Sequence, residues 1–174
     1  GTAITLAAIE SLFLINKRSI SISEIQKLSS RGGTSGIGIH SYFEGGMIFD
    51  GGVRQDDKEH LPSSSQSPEQ IPLKLLRIPL PDWRCIFVIP IVSEFTSGEK
   101  EEDFFQMNTP IAKEHAYEAT YVSVMGVIPS ILEKNYEMFR TSVSSIQQTK
   151  WKSLEISNTS EESLFLIRLG NELG

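Results

Sequence analysis

The hydrophobic positions of this chain group into short elements whose period changes from helical to extended and back. Ala3–Ile15 is apolar on nearly every side, which predicts a buried helix. Ser21 and Glu24 have the spacing of a capping box, in which hydroxyl and carboxylate satisfy each other's orphan amides. A short helix is therefore expected to run to about Ser30. Ile37, Ile39, Tyr42 and Phe43 predict a third helix ending at Gly45-Gly46, and Met47–Phe49 a short strand that turns at Asp50–Gly52.

Residues 53–71 are polar and read as a long loop. Leu73–Ile78 and Arg84–Ile91 then predict a half-buried strand beside a central one, separated by a turn at Pro79–Asp82. From Glu99 onward the pattern is helical. Glu99–Met107 is short and acidic, with Phe104 and Phe105 assigned to the core. Pro110 is expected to open a helix through Val127 and Pro129 another through about Gln148, because proline is tolerated in a first helical turn. Thr159 and Glu162 form a second capping-box pair, starting a helix that ends at Gly170 or Gly174. The predicted class is α+β.

Composition narrows the function classes. The net charge of −6 leaves no basic block to neutralise nucleic-acid phosphates, so a general nucleic-acid binder is excluded. The apolar run at Ala3–Ile15 is interrupted by Thr5, Glu10 and Ser11 and is shorter than the roughly 20 residues a bilayer requires, so no membrane association is expected. It also lacks the flanks of a secretory signal. Cys85 is the one cysteine and has no internal disulfide partner; it suits core packing in a reducing cytoplasm. The chain opens on Gly1-Thr2-Ala3 and closes on Leu169–Gly174, which suggests an internal piece of a longer polypeptide.

Candidate chemistry concentrates in Ser29–Gly52, where eight of twenty-four residues are glycine. Dense glycine serves positive-φ turns or lets backbone N–H groups approach an anion. Arg31 adds a fixed positive charge, with solvated helix-end charge as its other reading, and Thr34, Ser35 and His40 add hydrogen-bonding groups. The stretch reads as a site for a phosphorylated small molecule. His40 is either a substrate contact or proton donor, or a helix-surface or capping imidazole. No P-loop, no dinucleotide fingerprint after a strand and no nucleophile elbow occurs. Zinc is excluded by one cysteine and by three scattered histidines, His40, His60 and His115. Asp56-Asp57 reads as a solvated turn.

Several ordered motifs carry a resemblance. Gly1–Ala7 resembles the end of the glycine-rich phosphate motif of the GHMP kinase superfamily, and Ser35-Gly36-Ile37-Gly38 resembles its Ser-Gly-Ile-Asp segment. Arg31–His40, Phe43–Gly46, Asp50–Gly52, Leu61–Ser64, Pro81–Arg84 with Val88–Pro90, and Ser97–Glu99 together resemble its archaeal branch, the β-ribofuranosylaminobenzene 5′-phosphate synthase family. The resemblance implies a two-domain GHMP fold, incomplete at both ends: residues 1–80 in a ribosomal-S5-like domain and 81–174 in a ferredoxin-like, helix-rich one.

It also implies condensation of phosphoribosyl pyrophosphate with 4-aminobenzoate or 4-hydroxybenzoate, with loss of pyrophosphate and CO₂, on the way to methanopterin. Mg²⁺ is implied as the partner of the pyrophosphate, without a protein metal site, and a homodimer is compatible. The site residues carried over are Gly1, Thr2, Arg31, Gly32, Gly33, Thr34, Ser35 and Gly36 for phosphate, and His40 as the catalytic residue near the aromatic substrate. An ATP-dependent small-molecule kinase is the alternative. Gly38, standing where superfamily kinases carry a catalytic Asp, disfavours it. A catalytically inactive binding protein of the same fold is a third reading.

Overall fold

A computed structural model describes residues 1–52, 62, 71–91 and 99–173. They form two compact units, Gly1–Pro79 with Gly98–Thr109, and Leu80–Ser97 with Pro110–Gly174. The Asp56-Asp57 pair, His60, most of the Leu61–Ser64 motif and Ser97-Gly98 lie outside the described residues.

In the first unit, α1 (Thr2–Ile15), α2 (Ile22–Ser29) and α3 (Ile37–Glu44) pack through Leu6, Ile25 and Ile39, one buried side chain from each. Ile9, Ile20, Tyr42, Phe43 and Ile71 lie against this centre. The capping box of α2 is present: Glu24 N–H donates to Ser21 Oγ at 3.3 Å, and Ser21 N–H donates to Glu24 Oε2 at 2.9 Å. α1 is a helix as expected, but it is not buried all round. Leu6 is its buried side chain, whereas Ile4, Leu12, Leu14 and Ile15 are exposed. An apolar sequence creates the demand for burial, and packing partners decide which positions receive it.

β1 (Met47–Asp50) and β2 (Lys74–Ile78) pair antiparallel, Met47 opposite Ile78 and Ile48 opposite Arg77. The register is irregular between Phe49 and Asp50, where Asp50 meets Lys74. The last element of this unit is α4 (Glu99–Asn108), whose Phe104 and Phe105 are only partly buried, not core.

In the second unit the expected strand over 84–91 does not form. The segment is unpaired, with Ile86 87% and Ile91 96% exposed, and Cys85 is exposed instead of packed in a core. A strand needs a neighbour to take its backbone groups, and the described residues provide none here. Trp83, at the start of this stretch, packs its ring 4.9 Å from Phe139 and 5.6 Å from Tyr136.

The helices of this unit are α5 (Lys113–Val122), α6 (Ile128–Leu132), α7 (Tyr136–Gln148), α8 (Lys150–Ser157) and α9 (Glu161–Leu173). Pro110 does not open a helix as expected, and Pro129 stands in the first turn of α6, which ends at Leu132 and does not continue to Gln148. α5 begins three residues after Pro110 and runs through a π turn at Ser123–Val127 directly into α6, with Pro129 inside the continuous rod. A wide turn is a common way to accommodate a proline that cannot donate to the preceding turn. The break comes later, at Lys134 with φ 55°, and Asn135 caps α7 by accepting from Met138 N–H at 3.0 Å. α8 was not anticipated. The cap of α9 is Ser160, whose Oγ accepts from Ser163 N–H at 3.2 Å, in place of the Thr159–Glu162 pair, and Gly170 lies within the helix.

The described residues are mixed α and β, mostly helical with one small two-stranded sheet, as an α+β chain requires. No helix among them is long and apolar enough to cross a membrane.

Candidate functional site

The site is assembled where two helices begin. α1 opens at Thr2, and α3 opens at Ile37 after the turn Arg31–Gly36. A Cβ on Gly38 would stand 3.2 Å from Thr2 Cβ, so the first turns of α1 and α3 meet with almost no space between them. Each helix start presents the positive end of a backbone dipole, and the juxtaposition favours negative charge nearby. A Cβ at Gly38 would be tight against the Thr2 side chain, which would have to give by a few tenths of an ångström to accept it.

The turn that leads into α3 is bent by backbone that side chains rarely adopt. Ser30 sits at φ 50° and Gly32 at φ 98°. A Cβ on Gly32 would also lie 2.8 Å from Ile39 Cδ1, so glycine is required there by conformation and by space. Gly32 and Gly33 are buried, while Arg31, Thr34 and Ser35 are partly exposed. Arg31 N–H donates to Ser29 Oγ at 3.2 Å. Its guanidinium pairs with no carboxylate among the described residues.

Asp50, a turn residue that opens the Asp50–Gly52 motif, is the charged group that binds this loop's end. Ser35 Oγ donates to Asp50 Oδ2 at 3.0 Å, and Gly36 N–H donates to the same oxygen at 2.7 Å. Gly52 N–H donates to Asp50 Oδ1 at 3.1 Å. The irregular register at Phe49/Asp50 is where β1 delivers this side chain. The signal available in the sequence was the Asp50-Gly51-Gly52 motif itself, a carboxylate followed by two residues without Cβ.

His40 lies one turn into α3. Its Nε2 is 2.9 Å from Pro72 O, and since a carbonyl only accepts, that nitrogen carries the proton. The ring also covers Gly36, where a Cβ would be 2.9 Å from His40 Cδ2. His40 therefore joins α3 to the chain entering β2, with Nδ1 as its remaining polar atom. Tyr42, on the same helix, donates to Glu10 of α1 at 2.5 Å, and this bond holds its hydroxyl above the ordinary tyrosine value.

At the far end of α3, Glu44 forms an ion pair with Lys74. The hydrogen bond from Lys74 is the largest of the influences that hold the Glu44 carboxyl below the usual carboxylate range; the charges of Lys74, His40 and Arg77 act in the same sense, and desolvation opposes them. Arg77 caps the helix, donating from Nη2 to Glu44 O at 2.8 Å and from Nε to Gly45 O at 3.2 Å.

All of the sequence-predicted residues fall in the first unit. Gly1, Thr2 and the Arg31–Gly36 turn lie at the two helix starts, and His40 lies one turn further along. No group of three or more His, Cys, Asp or Glu that could hold a metal ion occurs among the described residues.

No protein-family model matches the chain. Three curated proteins are similar to it, each named beta-ribofuranosylphenol 5'-phosphate synthase. The one from Archaeoglobus fulgidus is 30% identical over 162 residues, covering 92% of this chain and 51% of its own length. The Methanothermobacter thermautotrophicus protein is 33% identical over 157 residues, 89% of this chain and 47% of its own length. The Methanocaldococcus jannaschii protein is 31% identical over 164 residues, 92% and 50% respectively. The chain spans about half the length of these curated relatives. It is a relative of the archaeal beta-ribofuranosylphenol 5'-phosphate synthases, as the ordered glycine-rich motifs led one to expect.

Proposed function

We propose that the full-length protein joins phosphoribosyl pyrophosphate to a 4-substituted benzoate, releasing pyrophosphate and CO₂, in the pathway to methanopterin, within a two-domain GHMP fold and in the cytoplasm. The observation that carries this reading is the meeting of the α1 and α3 starts at Thr2 and Gly38, with α3 directly following the glycine-rich turn that holds Arg31, in a chain similar to these synthases.

The chemistry is coherent with such a site. The bond from ribose C1 to the pyrophosphate oxygen breaks and its electron pair leaves with pyrophosphate. The ring carbon that bears the carboxylate attacks the electron-poor C1. The bond to CO₂ then breaks and its electrons restore the aromatic ring. The protein's duties are to hold the two reactants in line and to stabilise the departing charge. Arg31, Thr34 and the amides of the loop bind the phosphates. His40, with Nδ1 available, orients the aromatic partner. Mg²⁺ bound to the pyrophosphate would supply neutralisation of the leaving group's charge.

The relatives are named for a ribofuranosylphenol product, and a phenol results when the benzoate carries a hydroxyl para to its carboxylate. This favours 4-hydroxybenzoate over 4-aminobenzoate. A kinase reading has no such support, and Gly38 stands where the kinases of the resemblance carry Asp.

The test incubates full-length protein with phosphoribosyl pyrophosphate and carboxyl-labelled 4-hydroxybenzoate. Labelled CO₂ and pyrophosphate are expected in equal amounts; pyrophosphate without CO₂, or neither product, overturns the reading. Arg31→Ala should raise the KM for phosphoribosyl pyrophosphate by about 10- to 100-fold, the range of one lost charge-assisted hydrogen bond. An unchanged KM would remove Arg31 from the phosphate site.

A further inference from the structure

We infer that Asp50 is the resident anion at the α3 end of the loop and a positioning residue for the phosphoribosyl donor. By occupying Ser35 Oγ and Gly36 N–H it withholds those two groups from substrate. The donor's phosphate is thereby directed toward the Arg31 guanidinium and the first turn of α1. This deepens the proposed function and rests on it.

Three features carry the inference. The carboxylate is held on both oxygens by donors from two separate stretches of chain, Ser35 and Gly36 before α3 and Gly52 after β1. The one proton of the Ser35 hydroxyl is committed to Asp50, and its oxygen also accepts from Ile37 N–H at 3.2 Å. A phosphate entering at that end would have to break all of these bonds or sit against a like charge, which costs energy at short range. On the other side of the same turn, the Arg31 guanidinium is paired with no carboxylate among the described residues. The loop thus has one end held from within by Asp50 and, at Arg31, a positive charge that pairs with no carboxylate among the described residues.

The contribution of Asp50 is geometric. It ties the start of α3 to the irregular end of β1, and so fixes the turn that presents Arg31 and Thr34. In Asp50→Asn the amide keeps one acceptor but turns a donor toward either Gly52 N–H or the Ser35–Gly36 pair, so at least one of the bonds is lost.

The experiment uses the full-length enzyme with Asp50→Asn and, in parallel, Ser35→Ala, which removes one bond and keeps the carboxylate. Asp50→Asn should raise the KM for phosphoribosyl pyrophosphate about tenfold, the order that a misplaced positioning group costs. The benzoate KM should stay the same and kcat should change less than the donor KM; Ser35→Ala should show a smaller effect of the same kind. Inorganic pyrophosphate should bind more weakly to Asp50→Asn by the same factor. Tighter pyrophosphate binding would mean that the carboxylate is a competitor displaced by substrate, and would overturn the inference, as would unchanged constants. Hydrogen exchange over residues 33–38 separates this from failure of the functional reading. If wild type turns over no phosphoribosyl pyrophosphate, the reading fails. Faster exchange in Asp50→Asn still supports the hold on Gly36, and unchanged exchange defeats it.

Discussion

Two carboxylates mark the ends of α3, and the helix dipole treats them differently. Asp50 lies at the positive end, where N–H groups welcome it. Glu44 lies at the negative end, where a bare carboxylate would be disfavoured; Lys74 pairs with it, and Arg77 takes the terminal carbonyls. The Glu44 carboxyl is held below its ordinary value of 4.5, chiefly by Lys74. A group whose folded value is depressed contributes stability that is present above the unfolded value and is lost as pH falls through the folded one. Thermal unfolding followed from about pH 6 down to pH 3 should therefore show a decline that sets in as pH approaches the ordinary carboxylate value and continues below it. Lys74→Met should flatten that decline, and an unchanged slope would mean that the pair adds nothing.

Helices were the legible elements, because their signals are local. The α2 capping box and the C-terminal Gly45 of α3 were visible as residue types at fixed offsets, and both appear as expected. Local signals misled where a proline has two permitted contexts. Pro129 stands in the first turn of α6, yet α6 follows the π turn without a break and ends at Leu132, so the boundary before the long helix α7 is Asn135. Asn135→Ala should therefore cost about 0.5–2 kcal/mol in urea unfolding, the usual range for a lost N-cap. If Asn135→Ala cost nothing, α7 would not depend on that cap.

Packing across the first unit depends on few side chains. Leu6, Ile25 and Ile39 come from three different helices, so truncating one leaves a cavity that the other two cannot easily fill. Leu6→Ala should destabilise the full-length protein by about 2–5 kcal/mol by denaturant titration. Leu12→Ala, on the exposed side of the same helix in this chain, serves as the comparison and is expected to stay within about 0.5 kcal/mol. Equal effects would show that α1 is covered on both sides in the full-length protein.

Period, caps and glycine spacing were enough to place most helices, both strands of the sheet and the loop that carries Arg31. Folding decided what lies across space. Asp50 is fourteen residues beyond Gly36, and only the pairing of β1 with β2 and its irregular step bring the carboxylate to the start of α3. Thr2 and Gly38 are far apart in sequence, and their contact depends on two helices sharing Leu6 and Ile39. The burial of α1 and the strand over 84–91 were misread for the same reason: apolar composition states a need for partners, and only the arrangement of the rest of the chain determines whether they are met.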